Sequence, residues 1–61
     1  MNTYTFLLMR PAQNKPGYVQ VNEMKIKAFF YEVALKEALF LAHHFAIENN
    51  IPYYRVEGKR Q

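Results

Sequence analysis

Apolar residues fall in two strand-like runs over the first half of the chain, the second of them alternating with polar ones, and then the period changes to that of a helix. Residues 3–10, Thr-Tyr-Thr-Phe-Leu-Leu-Met-Arg, combine threonine, aromatic and aliphatic side chains and are stopped by Pro11, which predicts a first strand. If Phe6 and Leu8 face a helix, Leu7 and Met9 face outward; in the reverse phase Tyr4, Phe6 and Leu8 are outward. Apolar residues occupy both faces in either case. Residues 12–17 have loop composition, and the Pro16-Gly17 pair is a turn signal, because proline presets φ and glycine accepts a positive φ.

Residues 18–28 predict a second, longer strand. Val19 and Val21 share one phase, whereas Met24, Ile26 and Ala28 share the other. A one-residue insertion near 22–23 would bring all five onto one side, which is the mark of a β-bulge; the alternative is a break into two short strands. With the bulge, Gln20, Lys25 and Lys27 project from the opposite face.

The next segment, 31–50, is rich in Ala, Leu, Glu and Lys and predicts one helix. No Ser, Thr, Asp or Asn marks its start. Its end is better marked, because Asn49 and Asn50 tolerate the left-handed conformation and Pro52 blocks continuation. Residues 53–57 predict a short last strand, followed by a polar tail of Gly58, Lys59, Arg60 and Gln61. The expected architecture is a single small ββαβ domain over residues 1–61, of the α+β class. It has a three-stranded antiparallel or mixed sheet with one helix packed on one face and the other face uncovered. A parallel return of the last strand would require a right-handed crossover.

Each helical residue advances by about 100°. With Ala34 at zero, Leu35, Ala38, Leu41, Ala42 and Phe45 fall within about 120° of arc, with Leu39 and Ala46 at its edge; that arc suits packing on a sheet. Val33, Phe40 and Ile47 fall on the far side. They lie between Glu37, His44 and Glu48 on one flank and Lys36 and His43 on the other. This second apolar stripe predicts a partner. The consecutive aromatics Phe29, Phe30 and Tyr31 cannot all face one way either, so at least one is expected at the surface.

Composition sharpens this expectation. A 61-residue chain is marginal as a solitary fold and usually carries a staple. It has no cysteine, which removes disulfides and thiolate metal sites and leaves oligomerisation as the natural support. At 51% hydrophobic residues the sequence is globular. Its longest uncharged apolar run, 38–42, is far too short for a membrane span. No signal-peptide pattern opens it, so a cytoplasmic location and no membrane partner are expected. The net charge of +3 permits nucleic-acid binding without demanding it.

The chemical inventory is thin. His43 and His44 point about 100° apart, so one metal does not readily take both; His44 and Glu48 share a face, but no third histidine and no aspartate exists to complete a site. Serine is also absent, and two glycines cannot build a phosphate loop. The expectation is therefore no catalytic residue, no metal, no cofactor and no enzymatic activity. A basic and aromatic set remains. Lys25 and Lys27, joined by Tyr53 and Arg55 from the last strand and Arg10 from the first, would offer cations and flat rings to a nucleic acid.

Two functional readings follow. The favoured one is a non-enzymatic interaction module that forms a homo-oligomer, most simply a dimer, through Val33, Phe40 and Ile47 or through Leu7 and Met9, and that acts by binding a larger protein partner. Size and composition alone match accessory proteins of phages and mobile elements, such as inhibitors of a host system. The alternative is a nucleic-acid-binding module using Arg10, Lys25, Lys27, Tyr53 and Arg55.

Overall fold

Backbone pairing places the first strand in the middle of the sheet. In the computed structural model, which describes residues 1–59, β1 (Asn2–Pro11) is flanked by β2 (Tyr18–Ala28) and β3 (Arg55–Lys59), and one helix, α1 (Tyr31–Glu48), lies between β2 and β3 in sequence. The order across the sheet is β2-β1-β3, and both neighbours run antiparallel to β1. The fold is thus an α+β domain with a fully antiparallel sheet, and no parallel crossover is needed.

The β1–β2 hairpin closes through the Pro16-Gly17 turn. Gly17 sits at φ +100°, and its carbonyl accepts a hydrogen bond of 2.9 Å from the Ala12 N–H. Register is regular from Asn2↔Ala28 to Leu8↔Asn22 and then jumps to Met9↔Gln20. Val21 is therefore the extra residue, one position earlier than the 22–23 expected from the phase change. The bulge returns Val19 to the side of Met24, Ile26 and Ala28, and Val21 packs against the core from within it.

The core lies between the sheet and α1. Phe6 and Leu8 are fully buried at its centre, with Met24, Ile26 and Ala28 from β2 and Ala34, Ala38 and Ala42 from the helix. Adding Ala46, the buried helical residues form one ladder at i, i+4, so the centre of the helix–sheet contact is made of methyl groups. That ladder centres the buried arc about 60° from Ala34. Leu41, expected in the core arc, consequently sits on its shoulder and is 43% exposed. Leu35 and Phe45 flank the ladder and are partly buried, as are Tyr54 and Val56 from the other end of the chain.

Both helix ends follow from local chemistry. Phe30 is the extended N-cap residue and offers no side-chain cap. At the other end α1 stops at Glu48, two residues before the expected 50. Asn50 adopts φ 54°, its N–H donates to the Ile47 carbonyl, and the Ile51 N–H donates 2.8 Å to the Ala46 carbonyl. This is a Schellman motif, with buried Ile51 beside Ala46 supplying its hydrophobic contact. The chain then bends at Pro52 and Tyr53 before it reaches the sheet. For that reason the last strand is Arg55–Lys59 rather than 53–57, and Gly58 and Lys59 belong to the sheet rather than to a tail. Arg60 and Gln61 of the expected tail lie outside the described residues.

Candidate interaction surfaces

The helix and the sheet each turn one face away from the core. On the outer side of α1, Val33, Phe40 and Ile47 are 56%, 63% and 61% exposed, and their spacing of seven aligns them along the axis. The Phe40 ring lies 4.5 Å from the His44 ring, centroid to centroid. The exposed shoulders of Leu39 and Leu41 widen the apolar surface, because the buried arc is centred on the alanines rather than on Leu41 and Phe45. At the bend before the helix, Phe29 and Phe30 are each 66% exposed, whereas Tyr31 turns in against Tyr4 and Phe6 with centroids 5.7 Å away. The expectation that at least one of three consecutive aromatics lies at the surface is met by Phe29 and Phe30, while Tyr31, still 44% exposed, leans one side of its ring on the core.

The helix carries Glu32, Glu37 and Glu48 against Lys36, so with neutral histidines its formal charge is −2. Among the described residues none of these four is ion-paired. His43 sits on the opposite flank from His44, and its Nδ1 lies 3.4 Å from the Tyr54 hydroxyl, with the donor set by the ring tautomer. No group of three or more histidine, aspartate or glutamate side chains gathers among the described residues.

The open sheet face is read from the strand register. Thr3 pairs with Lys27; Thr5 lies between Lys25 and Lys59; Leu7 lies between Glu23 and Glu57; Met9 lies between Gln20 and Arg55. Among the described residues, four cations and two carboxylates give this face a formal charge of +2. Its two ion pairs are internal: Arg55 Nε to Glu57 at 3.0 Å and Lys59 Nζ to Glu23 at 3.6 Å. Arg55 also stacks over the Tyr18 ring at 5.1 Å. Lys25 and Lys27 are left without an ion partner among the described residues. Thr5 is only 7% exposed on this otherwise open face, consistent with two long lysine stems beside it.

Of the basic set expected from the sequence, Lys25, Lys27 and Arg55 share the open face. Arg10 does not. It pairs with Val19 one position past Met9 and so alternates to the helix side, next to the β1–β2 loop. Tyr53 is exposed but sits in the bend ahead of β3, where it has no row in the sheet. Leu7 and Met9 are on the open face and half-buried, between polar and charged neighbours rather than in a bare patch. The sequence reading missed Glu57 and Lys59; continuing the alternation beyond Arg55 would have found both.

No protein-family model, curated protein or solved structure matches this chain. No helix among the described residues is long and apolar enough to cross a membrane.

Proposed function

We propose that this protein is a non-enzymatic interaction module that self-associates in the cytoplasm and acts by occupying a surface of a larger protein. The observation that carries the reading is the outer helix face. Val33, Phe40 and Ile47 stand in solvent along a single line, extended by Phe30 and the Leu39 and Leu41 shoulders. Contiguous apolar surface of this kind marks association sites, and burying it is worth about 25 cal/mol per Å². The small-accessory-protein reading, an inhibitor of a host system among them, is supported by size and composition only.

Sedimentation of the purified chain tests the reading. The expected result is a species heavier than the 7.3 kDa monomer, with Phe40→Glu giving lighter species at unchanged helicity. A wild-type chain that remains monomeric at millimolar concentration would overturn it.

Lys25 and Lys27, without an ion partner among the described residues, support a second reading, nucleic-acid binding on the open sheet face. Binding through phosphates weakens steeply as salt rises, so Lys25→Glu with Lys27→Glu should abolish a salt-sensitive shift of single-stranded DNA or RNA. If the wild type produces no shift at low salt, this reading fails.

A further inference from the structure

We infer that the two outward faces are made for each other: the outer helix face of one copy seats on the open sheet face of the next, so the chain assembles head to tail. This rests on the self-association proposed above and adds its geometry.

Charge decides between the possible pairings. The helix carries −2, and the open sheet face, over the described residues, +2. Helix against helix would bring acid to acid, and sheet against sheet would bring base to base. Only helix against sheet brings opposite signs together, and like-charge juxtaposition is a strong filter on wrong pairings. The internal ion pairs sharpen this choice. Arg55–Glu57 and Lys59–Glu23 satisfy one another within the sheet face, leaving Lys25 and Lys27 as its unmatched cations among the described residues. Glu32, Glu37 and Glu48 on the helix are unmatched as well, among the described residues.

Shape agrees with charge. The molecule measures 40 × 24 × 13 Å and has two layers, so one side of its sheet lacks the covering that sheets normally receive. A second helix on that side is the ordinary remedy. The stripe from Val33 to Ile47 spans about 21 Å at 1.5 Å per residue, and β1 runs about 34 Å beneath it at 3.4 Å per residue. The seated stripe would meet Leu7 and Met9 in the central strand. A face of 40 × 24 Å also offers more than the roughly 800 Å² per partner of a standard interface.

A helix-on-sheet contact is heterologous, so an open assembly of any length still presents one unused helix face at one end and one unused sheet face at the other. Growth continues to a ring or an open filament unless a face is blocked.

Mixing blocked variants tests the inference. Phe40→Glu blocks the helix face and leaves the sheet face intact; Lys25→Glu with Lys27→Glu does the reverse. Each variant alone should sediment as a monomer. The equimolar mixture should double in mass and grow no further, because one intact helix face meets one intact sheet face. If Phe40→Glu loses helicity, Glu37→Lys with Glu48→Lys serves as the helix-face block, since both positions are exposed. A lysine variant that stays as oligomeric as the wild type, with no doubling on mixing, would overturn the inference and leave self-association standing. The inference also falls if the lysine variant loses nucleic-acid binding but keeps its oligomeric mass. A wild type that is monomeric at millimolar concentration would remove the underlying reading as well.

Discussion

Gly58 shows how one missing side chain organises its surroundings. A Cβ built there would lie 2.9 Å from the Tyr31 hydroxyl and 3.6–3.7 Å from the ring carbons Cε1 and Cζ. The glycine gives Tyr31 a flat seat on β3, from which its ring reaches Tyr4 and Phe6 in the core. The closest contact is with the flexible end of the tyrosine, so Gly58→Ala should cost only about 1 kcal/mol, within the ordinary range for overpacking. Because the hydroxyl is the atom in the way, the same substitution in a Tyr31→Phe background should cost measurably less. Urea denaturation of the four proteins in this cycle reads the difference directly. Equal costs in both backgrounds would mean that the seat is not what Gly58 provides.

At the scale of the element, α1 is held by what its core face lacks. Ala34, Ala38, Ala42 and Ala46 let the axis approach the sheet, and larger residues are displaced to the shoulders. Ala38→Leu should therefore destabilise the fold by about 1–3 kcal/mol through overpacking, whereas Leu41→Ala, at a half-exposed shoulder, should cost less although it removes apolar atoms and Ala38→Leu adds them. Thermal unfolding of the two variants ranks them, and the reverse order would refute the alanine-ladder account. The C-terminal cap makes a parallel claim. Asn50 holds φ 54°, so Asn50→Val should cost about 1–2 kcal/mol while Asn50→Gly is tolerated.

These elements differ in how far the chain announced them. The bulge was legible because Val19 and Val21 are out of phase with Met24, Ile26 and Ala28, and phase is a strictly local property of a strand. The outer stripe was legible for the same reason, as Val33, Phe40 and Ile47 share a helical angle. The centre of the buried arc was not, because hydrophobicity drew it toward Leu41 and Phe45, whereas close approach to a sheet selects small residues. The start of β3 was missed for another reason. Tyr53 has the composition of a strand residue, but the chain must first leave the helix through Asn50 and turn at Pro52. The place of Arg10 depended on register across the hairpin, which its own neighbours do not encode.

At the scale of the whole molecule, thinness is the governing property. A two-layer slab 13 Å deep has one buried interface and two broad outer faces, so much of its apolar surface has nowhere internal to go. The proposed self-association would couple to folding. A partner that binds only the folded chain adds stability that grows with the logarithm of its concentration, and under that proposal the partner is the chain itself. The melting temperature should rise as the protein is concentrated, by several degrees over a hundredfold range. At ~0.13 kcal/mol per kelvin of unfolding entropy for a domain of this size, a hundredfold change worth up to ~2.7 kcal/mol leaves ample room for such a shift. Phe40→Glu should flatten this dependence without lowering the melting temperature of the dilute protein, because Phe40 contributes nothing to the monomer's core. Calorimetry at two concentrations of each protein checks both statements. A wild-type melting temperature independent of concentration would mean that the exposed stripe is tolerated by a chain that needs no company to fold.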